Sequence, residues 1–240
     1  MTGRGIFVTG THTGVGKTLV AAALLRLAAR HGVRALGLKP VASGAVRTGP
    51  GGALRNADAL ELQAASAVAA AYETVNPCCF EPAIAPHLAA AEAGVAVELA
   101  TLLAWYAETS RLAEWCVVEG AGGWRTPLGR GAFLSDLPEA LGLDVVLVVG
   151  LTLGCLNHAR LTFEAIERAG RCRFRGWIGN AVDPGFERPD ENVATLAELL
   201  GEPPLALVPG LATAPRGPTG WPTFEFADDP RLLAALGIDP

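Results

Sequence analysis

The chain contains only two lysines, Lys17 and Lys39, among its 19 lysine and arginine residues. Lys17 lies in the stretch Gly10-Thr-His-Thr-Gly-Val-Gly-Lys-Thr18, which follows a short apolar run. A glycine-rich turn that ends in Gly-Lys-Thr can surround phosphate groups with backbone N–H groups, while the lysine reaches the outer phosphates and the threonine hydroxyl binds Mg²⁺. The sequence therefore predicts a nucleotide phosphate site formed by Thr13, Gly14, Val15, Gly16, Lys17 and Thr18.

This phosphate loop departs from the usual G-x-x-x-x-G-K-[ST] pattern in one respect. Its first glycine is Gly10, one place before the position that the pattern assigns to it, and Thr11 stands at that position. The alternative is a glycine-rich turn that only connects a strand to a helix. The apolar run before the loop and the alanine-rich segment after it favour the phosphate loop, because the motif lies between a strand and a helix.

Lys39 is a candidate for the same site. The apolar run 34–38 predicts a strand, and Pro40 ends it because proline cannot continue the ladder of hydrogen bonds. Ligands of open α/β sheets bind at the carboxyl ends of the strands, and arginine does not replace lysine where a compact ammonium is needed. Chance retention of a single lysine is the alternative. Ser43 offers a free hydroxyl in the loop that follows.

Glu119 is the first of two candidate carboxylates. It closes the apolar run 115–119 and precedes Gly-Ala-Gly-Gly. A carboxylate in this position beside a phosphate loop is typical of the second element of a magnesium site. The alternative is an ordinary exposed glutamate in a turn. The glycines after it, which can present N–H groups to an anion, are Gly120, Gly122 and Gly123.

Asp58 is the second candidate carboxylate. It follows Asn56, a residue that is favoured at the N-cap of a helix. A carboxylate in the first turn of a helix also interacts favourably with the helix dipole. This second role is the alternative for Asp58, and on this residue alone it is the stronger interpretation.

The composition excludes several classes of function. The net charge is −5 and the isoelectric point about 5.4, whereas general nucleic-acid binding requires a basic face. The longest apolar run, 145–156, is too short to span a bilayer. Five cysteines lack the spacing of metal ligands and indicate reduced thiols. We therefore expect a cytoplasmic protein that binds neither nucleic acid nor membrane, with no signal peptide before the first strand.

Predicted strands alternate with predicted helices along the chain. The expected strands are 6–9, 34–38, 115–119, 143–149, 175–182 and 205–208, and the expected helices are 19–30, 98–114, 156–169 and 191–200, with a further helix that opens at Asn56. The glycine-rich segment 45–54 is expected to be a mobile loop. This alternation predicts an α/β fold: one mostly parallel β-sheet with helices on both faces, in a single domain over residues 1–240. Because the first strand leads into the phosphate loop, we expect a fold of the P-loop NTPase type.

A series of short stretches extends in order from Gly5 to about Pro209. They are 9–18, 39–44 (Lys-Pro-Val-Ala-Ser-Gly), 54–59 (Leu-Arg-Asn-Ala-Asp-Ala), 74–77 (Thr-Val-Asn-Pro), 118–124 (Val-Glu-Gly-Ala-Gly-Gly-Trp), 153–159 (Leu-Gly-Cys-Leu-Asn-His-Ala) and 176–180 (Gly-Trp-Ile-Gly-Asn). Together they resemble the dethiobiotin synthetase family. The resemblance implies an ATP- and Mg²⁺-dependent ligase of biotin biosynthesis. Such an enzyme converts 7,8-diaminopelargonate and CO₂ to dethiobiotin, ADP and phosphate through a carbamate and a carbamic–phosphoric anhydride.

The resemblance assigns the central roles to residues already singled out. Thr18, Asp58 and Glu119 resemble the metal ligands of the family, which favours the metal role of Asp58 over its helix-dipole role. Lys17 and Lys39 resemble the catalytic lysines. The three glycines that follow Glu119 would line the diamine end of the substrate.

The resemblance also adds residues outside this cluster. Ser43 resembles a residue beside the carbamate and the transferred phosphoryl group. Asn180 matches the asparagine that reads adenine in the family, and Pro209 would flank the base. The segment 153–157 resembles one that meets the substrate carboxylate across a two-fold interface, which implies a homodimer and adds Gly154 and Asn157 to the substrate site.

Three positions depart from the family pattern. His12 stands where the family usually has aspartate, Thr152 where relatives often carry a basic residue, and Asn192 where some relatives have a tyrosine that holds the substrate tail. A solvated loop histidine is the alternative for His12. These positions are left out of the predicted site.

Two other functions of the same fold are weighed against the synthetase. An ATP-dependent amide ligase would require a further glutamine-hydrolysing domain, and too little chain follows Pro209 for one. A partitioning or nucleotide-switch protein commonly carries an additional lysine early in the phosphate loop, where this chain has Thr11 and His12. ATP turnover that depends on a diamine distinguishes the synthetase from both.

Overall fold

The structure is a computed structural model that describes residues 4–49, 51–211 and 214–238. Six parallel strands form its central sheet in the order β6-β5-β4-β1-β3-β2. Their bounds are β1 Arg4–Gly10, β2 Ala35–Leu38, β3 Trp115–Glu119, β4 Asp144–Gly150, β5 Phe174–Asn180 and β6 Ala206–Val208. The prediction of a parallel α/β sheet is therefore confirmed, and the expected strands agree with the observed ones to within two residues at either end.

Helices cover both faces of this sheet. They are α1 Lys17–Arg30, α2 Ala57–Ala65, α3 Tyr72–Val75, α4 Pro86–Glu92, α5 Leu99–Thr109, α6 Asp136–Leu141, α7 Cys155–Ala169, α8 Pro189–Leu200 and α9 Pro230–Leu236. Helix α5 is shorter than the predicted 98–114, because its last turn continues as the 3₁₀ helix Ser110–Leu112. No helix of these described ranges has the length and apolarity to cross a bilayer.

Strand β1 shows why the sequences of the strands are continuous apolar runs. Ile6 and Val8 are buried in the core beneath α1, whereas Phe7 is buried in the core on the opposite face. Successive side chains of a strand point to opposite faces, so a strand that is covered on both sides needs apolar residues at every position. Helix α1 is apolar on most of its circumference for a related reason: it lies between the sheet and the C-terminal segment and is covered on both sides.

The strand order creates a crevice at the carboxyl edge of the sheet. From β1 the chain passes to β2 and then to β3 on one side of β1, and it crosses to the other side for β4, β5 and β6. Ligands of open α/β sheets bind at such a switch of direction. The residues at or just after the carboxyl ends of β1, β2, β3 and β5 therefore converge here: Gly10, Lys39, Glu119 and Asn180.

The segment 45–54 corrects one prediction. It forms an antiparallel hairpin between Val46–Thr48 and Ala53–Arg55 instead of a loop without regular structure. Gly49 and Gly52 have φ values of 70° and 61°, which favour glycine and turn the chain between the two strands. The glycines thus mark the turn of a hairpin, and the short strands beside it have too few residues for a clear periodicity.

Candidate active site

The phosphate loop connects β1 to α1 and is held by a hydrogen bond from the end of β5. The Asn180 side chain donates from Nδ2 to the carbonyl of Val15 at 2.9 Å. Gly16 has a φ of 92°, and a Cβ there would lie 2.1 Å from Asn180 Nδ2. A Cβ on Gly10 would lie 2.5 Å from Val15 Cγ2, so the displaced first glycine gives the buried Val15 side chain its space. The shift of the first glycine from position 11 to position 10 is therefore compatible with a phosphate loop that packs the Val15 side chain against residue 10.

The start of α1 is open for an anion. Gly16 supplies no side-chain hydrogen bond to the first-turn N–H groups, which a nucleotide phosphate would satisfy. Lys17 extends from the first helical position and donates from Nζ to the carbonyl of His12 at 3.0 Å. Burial and the nearby Lys39 lower the pKa of Lys17 to about 8, although two carboxylates act in the opposite direction. The side chain is therefore a buried cation that lacks a full counter-charge, which a phosphate would provide.

Lys39 lies at the centre of a buried charged cluster. Its Nζ is 2.6 Å from Glu119 Oε1, 2.9 Å from Asp58 Oδ2 and 3.2 Å from the carbonyl oxygen of Gly120. Thr18 joins the cluster because its hydroxyl donates to Glu119 Oε1 at 2.9 Å. Residues that the sequence predicted from four separate stretches, the phosphate loop, the end of β2, the start of α2 and the end of β3, are thus in direct contact.

The electrostatics of the cluster keep Lys39 protonated. Burial disfavours the ammonium, but Glu119 and Asp58 outweigh it and raise the pKa of Lys39 above its ordinary value. Burial raises the pKa of Glu119, against the influence of Lys39. The pKa of Asp58 is lowered, because Lys39 more than offsets the effect of burial. Lys39 is therefore suited to stabilise negative charge and is a poor general base near neutrality.

The geometry bears on the alternatives for the two carboxylates and for Lys39. Glu119 is 1% exposed, so the interpretation as an ordinary exposed turn residue is wrong. The N-cap of α2 is Asn56, whose Oδ1 accepts from the N–H groups of Asp58 and Ala59 at 3.0 and 3.3 Å. Asp58 lies in the first turn of α2, as the helix-dipole role requires, and its carboxylate also lies 2.9 Å from Lys39. Lys39, 3% exposed, is not a surface lysine retained without a partner.

The cluster has oxygen donors that fit a nucleotide-bound Mg²⁺. Glu119 Oε2 is buried and has no hydrogen-bond partner among the described residues. Within those residues no group of three or more His, Cys, Asp or Glu side chains could hold a metal ion by itself. Mg²⁺ is commonly bound by one or two carboxylates together with substrate phosphates. Thr18, Asp58 and Glu119 match that kind of site better than a cage made only of protein ligands.

The glycines after β3 correct another expectation. The N–H of Gly120 donates to the carbonyl of Val8 at 3.0 Å, and that of Gly123 donates to Thr126 Oγ1 at 3.1 Å. These two N–H groups are therefore not directed to an anion. A Cβ on Gly122 would lie 2.6 Å from Thr126 Oγ1. The glycines allow the chain to turn tightly and approach the phosphate loop, while the Gly120 carbonyl accepts from Lys39.

The remaining predicted residues lie in three other segments of the chain. Ser43 is half-buried, and its backbone carbonyl accepts from the Asn56 side chain. Pro209 is exposed directly after β6. Gly154 and Asn157 are exposed at the start of α7, which the structure brings near the phosphate loop, because the rings of His12 and His158 lie 5.8 Å apart. The proximity of His158 was missed, since nothing in its local sequence predicts a contact with the loop.

Comparisons with known proteins identify the family of the chain. The model of the AAA_26 family, described as an AAA domain, matches residues 4–215. The ATP-dependent dethiobiotin synthetase BioD of Pseudomonas paraeruginosa is 54% identical over 209 residues, which cover 87% of this chain and 90% of that protein. The protein of the same name from Chromohalobacter salexigens is 52% identical over 217 residues, with coverages of 87% and 90%. Cellvibrio japonicus has one that is 47% identical, with coverages of 89% and 92%.

Solved structures support the fold alone. A ParA family ATPase from Chlorobium tepidum superposes with a TM-score of 0.52 at 13% identity, over 87% of this chain and 85% of that chain. The MinC:MinD cell division protein complex of Aquifex aeolicus gives a TM-score of 0.52 at 13% identity, over 97% and 84%. These proteins share the architecture, whereas the sequence relatives are about half identical to this chain over most of their length. The chain belongs to the ATP-dependent dethiobiotin synthetase family and is an ATP-dependent ligase of biotin biosynthesis.

Proposed function

We propose that this chain carboxylates 7,8-diaminopelargonate with CO₂ and closes the product into the ring of dethiobiotin, with conversion of ATP to ADP and phosphate. The observation that carries the proposal is the buried ammonium of Lys39, held 2.6 Å from Glu119 and 2.9 Å from Asp58 beside the phosphate loop. A fixed cation next to a γ-phosphate can stabilise anions that are formed from the substrate and transferred to phosphorus. This is the main protein contribution in phosphoryl transfer.

The reaction proceeds in three bond-forming steps. A neutral amine of the substrate attacks the carbon of CO₂ and loses a proton, which gives a carbamate. A carbamate oxygen attacks the γ-phosphorus and ADP leaves, which gives a carbamic–phosphoric anhydride. The second amine attacks the carbamoyl carbon, phosphate leaves with the electrons of the C–O bond, and a proton is released. The ring closes without a net change in oxidation state.

The chain's own groups assist each step. The positive charges of Lys17 and Lys39 disfavour protonation of a bound diamine, because like charges repel, and the same charges stabilise the carbamate. Lys17 and the N–H groups of residues 13–16 hold the β- and γ-phosphates in position for attack. We place Ser43 beside the carbamate, and Gly120, Gly122 and Gly123 at the diamine end of the substrate.

Mg²⁺ is the metal that we assign to this site. Thr18, Asp58 and Glu119 would hold it, and when bound it neutralises phosphate charge. Hard oxygen ligands of this kind are the ones that Mg²⁺ prefers. The unpartnered Oε2 of Glu119 supports the assignment, because a buried carboxylate oxygen without a hydrogen bond is costly unless a ligand satisfies it.

We assign the other ends of the substrates to residues outside the charged cluster. Asn180 and Pro209 receive the adenine, and Gly154 and Asn157 receive the substrate carboxylate from a second protomer. The homodimer is part of this proposal, and it would cover Leu153, which is 94% exposed just before α7. Five free cysteines support a reducing, cytoplasmic location.

Substitution of Asp58 by asparagine tests the metal assignment. We expect Asp58→Asn to raise the Mg²⁺ concentration that gives half of the maximal rate by about tenfold, because it replaces a charged oxygen ligand with a neutral one. Mg²⁺ titrations of ATP turnover measure this change. Asp190→Asn is the matched control, since Asp190 holds the same second position in α8 and is exposed. Equal Mg²⁺ requirements in the two variants would contradict the assignment.

The reaction itself is tested by adding the substrates separately and together. We expect ATP turnover only when 7,8-diaminopelargonate and bicarbonate are both present, with ADP, phosphate and dethiobiotin as products. Turnover should rise with pH, because an alkyl amine has a pKa of about 10.4 and reacts only in its neutral form. Equal ATP hydrolysis without the diamine, or the formation of AMP, would refute the proposed reaction.

A further inference from the structure

The hydroxyl of Tyr72 lies in a buried hydrogen-bonded network beside the active site. It accepts from the backbone N–H of Asn56 at 2.7 Å and donates to Asn76 Oδ1 at 3.0 Å. The Sγ of Cys79 lies 3.3 Å away. Tyr72 is 6% exposed, so solvent does not replace these partners easily. One hydroxyl thus joins two asparagines that are 20 residues apart in the chain.

Asn56 connects the Tyr72 hydroxyl to two residues of the site. Its Oδ1 accepts from the N–H groups of Asp58 and Ala59, which fixes the first turn of α2. Its Nδ2 donates to the backbone carbonyl of Ser43 at 3.1 Å. Both the Asp58 carboxylate and the Ser43 loop therefore depend on the placement of Asn56.

Asn76 connects the Tyr72 hydroxyl to the backbone of Lys39. Its Nδ2 donates to the carbonyl of Lys39 at 2.6 Å and to that of Cys78 at 3.2 Å. The N–H of Lys39 donates to the carbonyl of Val75 at 2.8 Å. Residues 75 and 76 therefore hold the Lys39 backbone from both its N–H and its carbonyl side.

The ring of Tyr72 is itself fixed. The guanidinium of Arg55 lies 4.2 Å from the ring centre, and an ion pair of 3.0 Å joins Arg55 to Glu73. A phenylalanine at this position could keep the ring and the cation–π contact. The substitution then removes only the hydroxyl, so its effect reports the role of the hydroxyl alone.

We propose that Tyr72 is a positioning residue for the reaction, one whose hydroxyl sets the separation between Lys39 and Asp58. The two side chains come from independent segments, the end of β2 and the start of α2, and a 2.9 Å contact joins them. The network holds their backbones together without using the charged groups. The inference rests on the proposed function, because it concerns the geometry of that same site.

Tyr72→Phe in the full chain tests the inference. We expect the half-saturating Mg²⁺ concentration and the KM for 7,8-diaminopelargonate each to rise by about tenfold, since loss of a partner behind a ligand commonly costs that much. Affinity for ATP measured in EDTA should stay within about twofold of the unsubstituted chain, because the phosphate loop stands outside the network. A merely destabilised enzyme would instead lose kcat in proportion to its unfolded fraction, with KM and the Mg²⁺ requirement unchanged.

The other tyrosine of the chain is a matched control. Tyr106 is 1% exposed, and its hydroxyl has no hydrogen-bond partner among the described residues. Tyr106→Phe should leave the Mg²⁺ requirement and the diamine KM unchanged. If Tyr72→Phe behaves like Tyr106→Phe, the inference is overturned.

A second variant and the unsubstituted chain complete the design. Asn76→Ser, which shortens the side chain that holds the Lys39 carbonyl, should show the same two increases, and it decides the question if Tyr72→Phe does not fold. Absence of the increases in Asn76→Ser then overturns the inference. Absence of diamine-dependent turnover in the unsubstituted chain would refute the proposed function instead, so the two failures are distinguishable.

Discussion

Lys39→Arg is expected to lower kcat by about a thousandfold, the loss that follows removal of a group that stabilises charge in a transition state. The Lys39 ammonium occupies a closed space in which Glu119, Asp58 and the Gly120 carbonyl lie within 3.2 Å. The guanidinium of arginine is planar and wider, and its donors point in fixed directions. It cannot take the same position without displacing at least one carboxylate.

The result is measured as single-turnover and steady-state rates on protein whose folding is checked by circular dichroism. Arg168→Lys is the control for exchange of the two basic residues, because Arg168 is exposed and pairs only with Glu164 within its own helix among the described contacts. Its rate should be unchanged. Full activity of Lys39→Arg would remove Lys39 from the reaction.

Lys17→Met is expected to lower kcat by about a thousandfold and to weaken ATP binding, because the variant keeps the apolar stem but loses the cation at the phosphates. The only hydrogen bond of the ammonium within the described residues is to the carbonyl of His12. Its loss should therefore affect function far more than folding. A near-normal kcat would contradict the phosphate-loop assignment.

The stability of the same variant has a definite pH dependence. Burial lowers the pKa of Lys17 from its ordinary 10.5 to about 8, so folding is penalised while the lysine is charged. The penalty is complete below about pH 8 and disappears as the pH rises to about 10.5. Methionine removes it, so the melting temperature of Lys17→Met should equal or exceed that of the unsubstituted chain at pH 7. Any such gain should be absent at the upper end of that range.

The local sequence was sufficient to predict the elements around the phosphate loop. The strand, glycine-rich turn and helix around Lys17 were predictable, because their apolar pattern and their turn residues lie within one short segment. The alternation of strands and helices predicted the parallel sheet for the same reason. Helix α9 was missed, although Asp229 caps it and Pro230 opens it, because a helix of 7 residues has too short a periodic pattern.

The sequence by itself determined which residues could do the chemistry, but only the tertiary structure decided how they meet. Lys39, Asp58 and Glu119 come from three segments, and their contacts depend on β3 lying between β1 and β2. Strand order is a property of long-range packing, and no local pattern encodes it. The same holds for the glycines after Glu119: the sequence showed their flexibility, whereas the partners of their N–H groups came from Val8 and Thr126. Backbone donors are satisfied by whichever acceptor the fold brings within reach, and only the folded chain determines that acceptor.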